Sequence, residues 1–183
     1  MIWGKGRGSG STRSHQIYEI ARLTIEKGTH LQILPPNVPK TFWPNIHIYD
    51  LAKVYLEVIG SALAELQAKK GKATWNEEGY YFAENGVHYW QDAADWIADE
   101  AVKQGFLKSQ SAEVEVITTD VLLKTMGPAT LNLGASCKSY RAEKLFGWKP
   151  TQGSLKDEIS EIVRSEAERA GLGGLSELLT FNT

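Results

Sequence analysis

The run Asn45-Ile46-His47-Ile48-Tyr49, followed at once by Asp50 and a long apolar stripe, constrains the fold more than any other feature of the chain. Polar and apolar residues alternate through 45–49, the period of a half-buried strand. Leu51, Val54, Tyr55, Val58, Ile59, Ala62, Leu63 and Leu66 then recur at helical spacing. A strand that passes directly into a helix is the repeating step of an α/β protein rather than of a bundle or a sandwich. Asp50 stands where a carboxylate caps the helix that follows, and the stripe dissolves at Lys69-Lys70-Gly71-Lys72.

The rest of the chain repeats that alternation. Met1-Ile2-Trp3 reads as the end of a strand and opens into a glycine-rich loop over 4–11, expected to be flexible. A helix is predicted from a cap at Ser14 to Lys27, with Ile17, Ile20, Ala21, Thr24 and Ile25 on one side and Gly28 as its left-handed stop. Residues 31–34 form a strand candidate, and Pro35, Pro36, Pro39 and Pro44 hold an extended stretch. Residues 79–83 are strand-like, 89–104 helical and 113–117 alternating, and a short helix is expected over 119–124. A further short helix lies between Cys137 and Gly147. Ser154 with Asp157 makes a capping box for a last helix lined by Leu155, Ile159, Ile162, Val163 and Ala170. No repeat or linker divides the chain, so 1–170 is expected as one unit and 171–183 as a loose tail.

Charge and cysteine usage exclude several classes. Twenty basic and 22 acidic side chains leave a net charge of −2, which gives no electrostatic footprint for nucleic acid. No apolar run approaches the ~18 residues that cross a bilayer, and no charged-then-apolar leader pattern is seen. The single cysteine, Cys137, has no internal partner, which points to a reducing cytoplasm. The histidines at 15, 30, 47 and 88 show no zinc-binding spacing, so no metal site is expected.

Several motif matches are decoys. The glycines at 4, 6, 8 and 10 fit neither the dinucleotide spacing G-x-G-x-x-G nor the phosphate-loop spacing. Y-x-x-x-K occurs at Tyr49/Lys53 and at Tyr140/Lys144, a pairing in which a lysine lowers a tyrosine pKa for proton transfer. The catalytic version also requires a Ser or Thr about a dozen residues earlier, and Asn37-Val38 and Gly127-Pro128 stand there instead. Cys137 has no neighbouring histidine, and His47, flanked by Ile46 and Ile48, reads on its own as a hydrogen-bonded structural residue.

Three ordered segments resemble the extended short-chain dehydrogenases, the NAD-dependent epimerase/dehydratase family. Ile2-Trp3-Gly4-Lys5-Gly6 is similar to their "V-Y-G-P-G" step, residues 45–52 to "F-I-H-V-D-D-L-A", and Lys144-Leu-Phe-Gly147-Trp148-Lys-Pro150 to the late "L-G-W-x-P". Residues 79–105 match the intervening strand and helix, so the resemblance covers nearly all of 1–170. It implies an α/β fold: the C-terminal part of a Rossmann-type architecture, with its last strands and helices plus the substrate-binding lobe. Trp3, Trp43 and His47 would then line the substrate cleft, while Asp50, Gly147, Trp148 and Pro150 form a structural motif. Trp43 replaces an Arg that grips phosphate in nucleotide-sugar enzymes of the family, which favours an aldehyde, ketone or other uncharged carbonyl.

The family's cofactor loop and catalytic Tyr and Lys belong to a half that is absent from this sequence. NAD or NADP is therefore implied for the full-length family, and none is expected to bind this chain alone. The expectation is a small-molecule substrate, no catalytic residue in this chain, and a missing N-terminal half or partner subunit. The alternative is a non-catalytic binding or regulatory protein that retains this lobe. The stripe of 51–66 and the Ile2-Trp3 strand would be left with uncovered apolar surface.

Overall fold

The computed structural model describes residues 1–33, 37, 39–108, 114–117, 121 and 133–172 of the chain. In chain order its elements are β1 (Ile2–Trp3), α1 (Gln16–Lys27), β2 (His30–Gln32), β3 (Phe42–Pro44), β4 (Ile46–His47), α2 (Ile48–Leu66), β5 (Val87–Tyr89), α3 (Trp90–Lys103), β6 (Val114–Val116), α4 (Tyr140–Phe146) and α5 (Leu155–Arg169). The main core forms where the apolar faces of α1, α3 and α5 meet. Ile17, Ile20 and Ala21 of α1 interlock with Ala93, Ala94, Ile97, Ala98 and Ala101 of α3 and with Leu155, Ile159, Ile162 and Val163 of α5, all buried. The run of alanines on α3 lets its neighbours approach closely. A second, smaller core gathers Ile46, Val54, Ala142 and Trp148, with Leu51, Tyr81, Ala83 and Phe146 packed around it.

The fold is mixed α/β, with its strands in three pairs among the described residues. β1 runs parallel to β4, with Ile2 opposite Ile46 and Trp3 opposite His47. β2 runs parallel to β6, and β3 antiparallel to β5, with Trp43 opposite His88.

Helix ends follow the sequence in part. Gly28 and Gly147 stop α1 and α4 in the left-handed conformation at φ 64° and 66°. The Ser154–Asp157 capping box forms in both directions. Three expectations are corrected. Ser14 does not cap α1; His15 takes that place without a side-chain bond, and the Ser14 hydroxyl donates to the Ile2 carbonyl. Ala170 is the exposed C-cap of α5, and the stripe closes with Glu166 and Ala167 instead. Residues 79–83 form no strand; the partner of β3 lies later, at Val87–Tyr89.

The 45–52 step is also corrected. Its strand is only Ile46–His47, because the facing strand offers only Ile2 and Trp3. With no further ladder to join, the backbone coils at Ile48, and Tyr49 is helical. His47 becomes the N-cap, its Nδ1 accepting from the Tyr49 N–H at 3.2 Å. Asp50 is therefore no cap: it lies in the first turn, fully buried, and its carboxylate bonds no backbone N–H of its own helix, taking those of Thr151 and Gln152 instead. Of the stripe on α2 only Val54 is buried; Tyr55, Ile59, Leu63 and Leu66 are more than half exposed, as is Leu56, which the stripe does not include. On the expected strand surface Ile2 is exposed while Trp3 is buried. The short helix expected over 119–124 falls, Val121 aside, outside the described residues, as does the tail beyond Leu172.

Candidate functional site

In a parallel strand pair, the chain leaves both strands on the same side, and clefts form there. Here that side carries the glycine loop after β1 and the first turn of α2 after β4. Trp3 is 1% exposed, and its indole Nε1 donates to Asn45 Oδ1 at 2.9 Å. Its ring meets the His47 ring edge-on at 4.7 Å, and His47 meets Tyr49 at 4.8 Å.

The tautomer of His47 follows from its cap bond. Nδ1 accepts from Tyr49 N–H, so the neutral ring carries its proton on Nε2. Burial pushes its pKa below the ordinary histidine value, with the nearby Asp50 charge opposing and Lys53 adding to the shift. Nε2–H has no acceptor among the described residues. It lies directly under Gly4, whose φ is +92°, and a Cβ there would stand 2.3 Å from Nε2. Gly4 therefore serves two needs at once, a left-handed backbone and room for the imidazole.

The loop is not loose in the structure. Gly6 N–H donates to the Thr12 carbonyl at 3.0 Å, closing 6–12 on itself. The closed loop walls a cavity of about 290 Å³, lined by Ile2, Gly4, Arg7, Thr12, Ser14 and Ile48 among others. The Arg7 guanidinium lies over the Tyr49 ring, 4.7 Å from its centre. Arg13, at the loop's far end, is committed elsewhere: it makes paired bonds to the buried Glu166 at 2.7 and 2.9 Å and reaches Glu19 at 2.8 Å. Those bonds tie the loop to α5 and α1.

Trp43, expected beside Trp3 and His47, belongs to a different aromatic group. It packs edge-on against Trp90 at 5.4 Å and donates its Nε1 to the Leu133 carbonyl at 2.7 Å. Asp50 and Trp148 do meet. The Trp148 indole donates to the Asp50 carbonyl at 3.1 Å, while the Asp50 carboxylate accepts from the N–H groups of Thr151 and Gln152, both at 2.9 Å. Burial opposes its charge, but these bonds and the Lys53 ammonium outweigh that and hold its pKa below the usual carboxylate value. Gly147 turns the chain and Pro150 carries it onward to Thr151, so all four motif residues build one joint between α2 and the 147–152 segment.

Tyr49 and Lys53 lie one turn apart on α2 rather than on a strand end and a helix. Lys53 is bonded to Asp50 and to the Thr151 hydroxyl, with no bond to Tyr49, and Tyr140 is 72% exposed. Burial, with Glu84 nearby, pushes the Cys137 thiol up. Among the described residues no cluster of three could hold a metal, and no helix is long and apolar enough to cross a membrane.

Sequence reasoning missed Gly4, Arg7 and Glu166 as working residues. Only Glu166 left a signal, since it falls on the buried stripe of α5.

The structure thus defines a mixed α/β protein with a cleft at the C-terminal ends of a parallel strand pair. The chain is similar to oxidase ucsJ of Acremonium sp., 34% identical over 173 residues that cover 93% of this chain and 49% of the relative. It spans about half the length of that curated relative. A solved structure of RMD from Pseudomonas aeruginosa complexed with NADPH matches 92% of this chain and 45% of its own, at 13% identity and a TM-score of 0.47. No known protein-family profile matches the chain.

Proposed function

We propose that this chain is the substrate-side part of an oxidoreductase that acts on a carbonyl or alcohol, and that it does not carry the redox cofactor itself. The observation that carries the reading is the unaccepted Nε2–H of His47, held under Gly4 and beside Trp3 at the strand ends. A fixed neutral donor, buried and separated from the loop cavity only by Gly4, suits a carbonyl or hydroxyl oxygen. It can hold that oxygen, and orient the carbon attached to it, without giving up a full proton. The similarity to an oxidase supports the redox class.

A nicotinamide dinucleotide, which the dehydrogenase resemblance implies, does not fit the described residues. Its pyrophosphate needs a glycine turn that passes directly from strand to helix. Here β1 ends at Trp3, α1 begins only at Gln16, and the loop between folds back on itself through Gly6 and Thr12. The reading therefore gives this chain the substrate contacts, and NAD or NADP a seat in a portion of the longer protein outside this sequence.

The test follows the imidazole of His47 by nuclear magnetic resonance while acetone, a small aldehyde or the matching alcohol is added, alongside titrations of NADPH and NADH. The expected result is a shift of the His47 ring signals with the carbonyl compounds and no cofactor binding. A silent His47 would overturn the substrate cleft. Micromolar binding of either nucleotide would overturn the placement of the cofactor.

A further inference from the structure

The cavity behind the glycine loop has an unusual charge balance. The residues that line it include Arg7, Arg13, Ser11, Thr12 and Ser14, and no carboxylate. Arg13 is neutralised by Glu166 and Glu19. Arg7 is not: its guanidinium makes no ion pair or hydrogen bond among the described residues, and its one recorded contact is the face of Tyr49. The larger groove of about 620 Å³ on the other side of the loop differs. It is bordered by Glu158, Glu161, Glu166 and Glu168, and its Arg13 and Arg164 are paired with acids. With Lys5 and Arg169 counted, that groove sets four cations against four carboxylates, so the loop cavity carries a net positive charge and the larger groove does not.

We propose that the cavity between the glycine loop and Ile48 is an oxyanion site, in which Arg7 binds a carboxylate or phosphate group on the molecule whose carbonyl or alcohol oxygen meets His47. The exposed Arg7 guanidinium rests over the Tyr49 ring, and its N–H donors remain available for a two-oxygen contact. Gly4, Gly6 and Gly8 all line the cavity; a Cβ on the first two would meet His47 and the Ser11–Thr12 backbone, whereas Gly8 leaves open space beside its backbone for an anion to approach. Gly4 lines this cavity and also covers His47 Nε2, so the anion site and the imidazole donor adjoin. The substrate is then an acidic one, a departure from the uncharged carbonyl that Trp43 suggested, and Trp43 itself lies in another aromatic group. The identity of the second group, the carbonyl or alcohol, rests on the function proposed above.

The test is binding by the full chain, read by calorimetry and by backbone amide shifts of residues 4–14. Three probes are compared: inorganic phosphate, pyruvate, and acetone as the uncharged counterpart of pyruvate. Pyruvate or phosphate is expected to bind at least tenfold more tightly than acetone, with shifts centred on Gly6, Arg7 and Gly8. Arg7→Gln should remove that advantage, and Lys103→Gln, at the exposed end of α3, should leave it intact. Preference for pyruvate assigns a carboxylate and preference for phosphate a phosphoryl group; both support the site. Equal binding of acetone and pyruvate, no anion binding at all, or full anion binding by Arg7→Gln would overturn it. A retained preference for anions together with a silent His47 would keep the anion site and remove the oxidoreductase reading.

Discussion

Single residues here carry several jobs that their neighbours in sequence do not reveal. Asp50 joins two segments a hundred positions apart through Thr151 and Gln152. Asp50→Ala should cost about 2–3 kcal/mol, from charge-assisted bonds lost at a buried carboxylate, more than a simple cap removal. Urea unfolding checks this; a loss well under 1 kcal/mol would mean that Trp148 alone holds the joint. His88 offers a pH test. It is 2% exposed, its two ring nitrogens find no hydrogen-bond partner among the described residues, and its ring packs edge-on to Trp90 at 4.5 Å. Burial, with the Met1 ammonium adding, pulls its pKa from 6.5 to about 4. The unfolded chain therefore takes up a proton between those values and the folded chain does not, so stability is full above pH ~6.5 and falls as pH drops toward ~4. The loss should approach about 3 kcal/mol, and His88→Leu should flatten that part of the stability–pH curve measured by denaturant titration.

At the scale of elements, α1, α3 and α5 bury what their periodicity promises, and α2 does not. Tyr55, Leu56, Ile59, Leu63 and Leu66 form a face that is more than half exposed along its length. Leu56 and Ile59 are 67% and 52% exposed, so replacing both by Gln should change folding stability by no more than about 0.5 kcal/mol each. The same double variant should bind less of a hydrophobic dye and aggregate less on concentration. Unchanged dye fluorescence would place the sticky surface elsewhere. The loop between β1 and α1 is held by side chains rather than by a sheet: Arg13 bridges to Glu166, which is 1% exposed and so depends on that partner for its charge.

Across the whole molecule, two cores of unequal size share the fold. The larger one locks three helices together. The smaller one, under α2 and α4, is bounded by the exposed face of α2. Local opening free energy follows buried apolar contact. Amide hydrogen exchange should accordingly be slower in α1, α3 and α5 than in α2, by at least tenfold at the helix centres. Equal protection in α2 would show that the smaller core opens only with global unfolding.

The periodicity of 17–25, 90–101 and 155–163 is enough to predict three helices and their buried faces, because each stripe is wide and the end signals are local: the left-handed glycines Gly28 after α1 and Gly105 after α3, and the Ser154–Asp157 box that starts α5, need only their own neighbours. The strand at 45–49 was misjudged in length because a ladder lasts only as long as its partner, and β1 offers two residues. The role of Asp50 was misjudged for a similar reason, since its partners lie at 151 and 152. Trp3 and His47 were legible as a pair through the resemblance of their segments, yet the tautomer of His47, the space left by Gly4 and the unpaired charge of Arg7 were not. Local order, set within a turn or two, was written in the sequence. Which side chains meet across forty or a hundred positions, and so which charge is left free in the cleft, was decided by tertiary packing, because burial and ion pairing depend on neighbours that only the folded chain supplies.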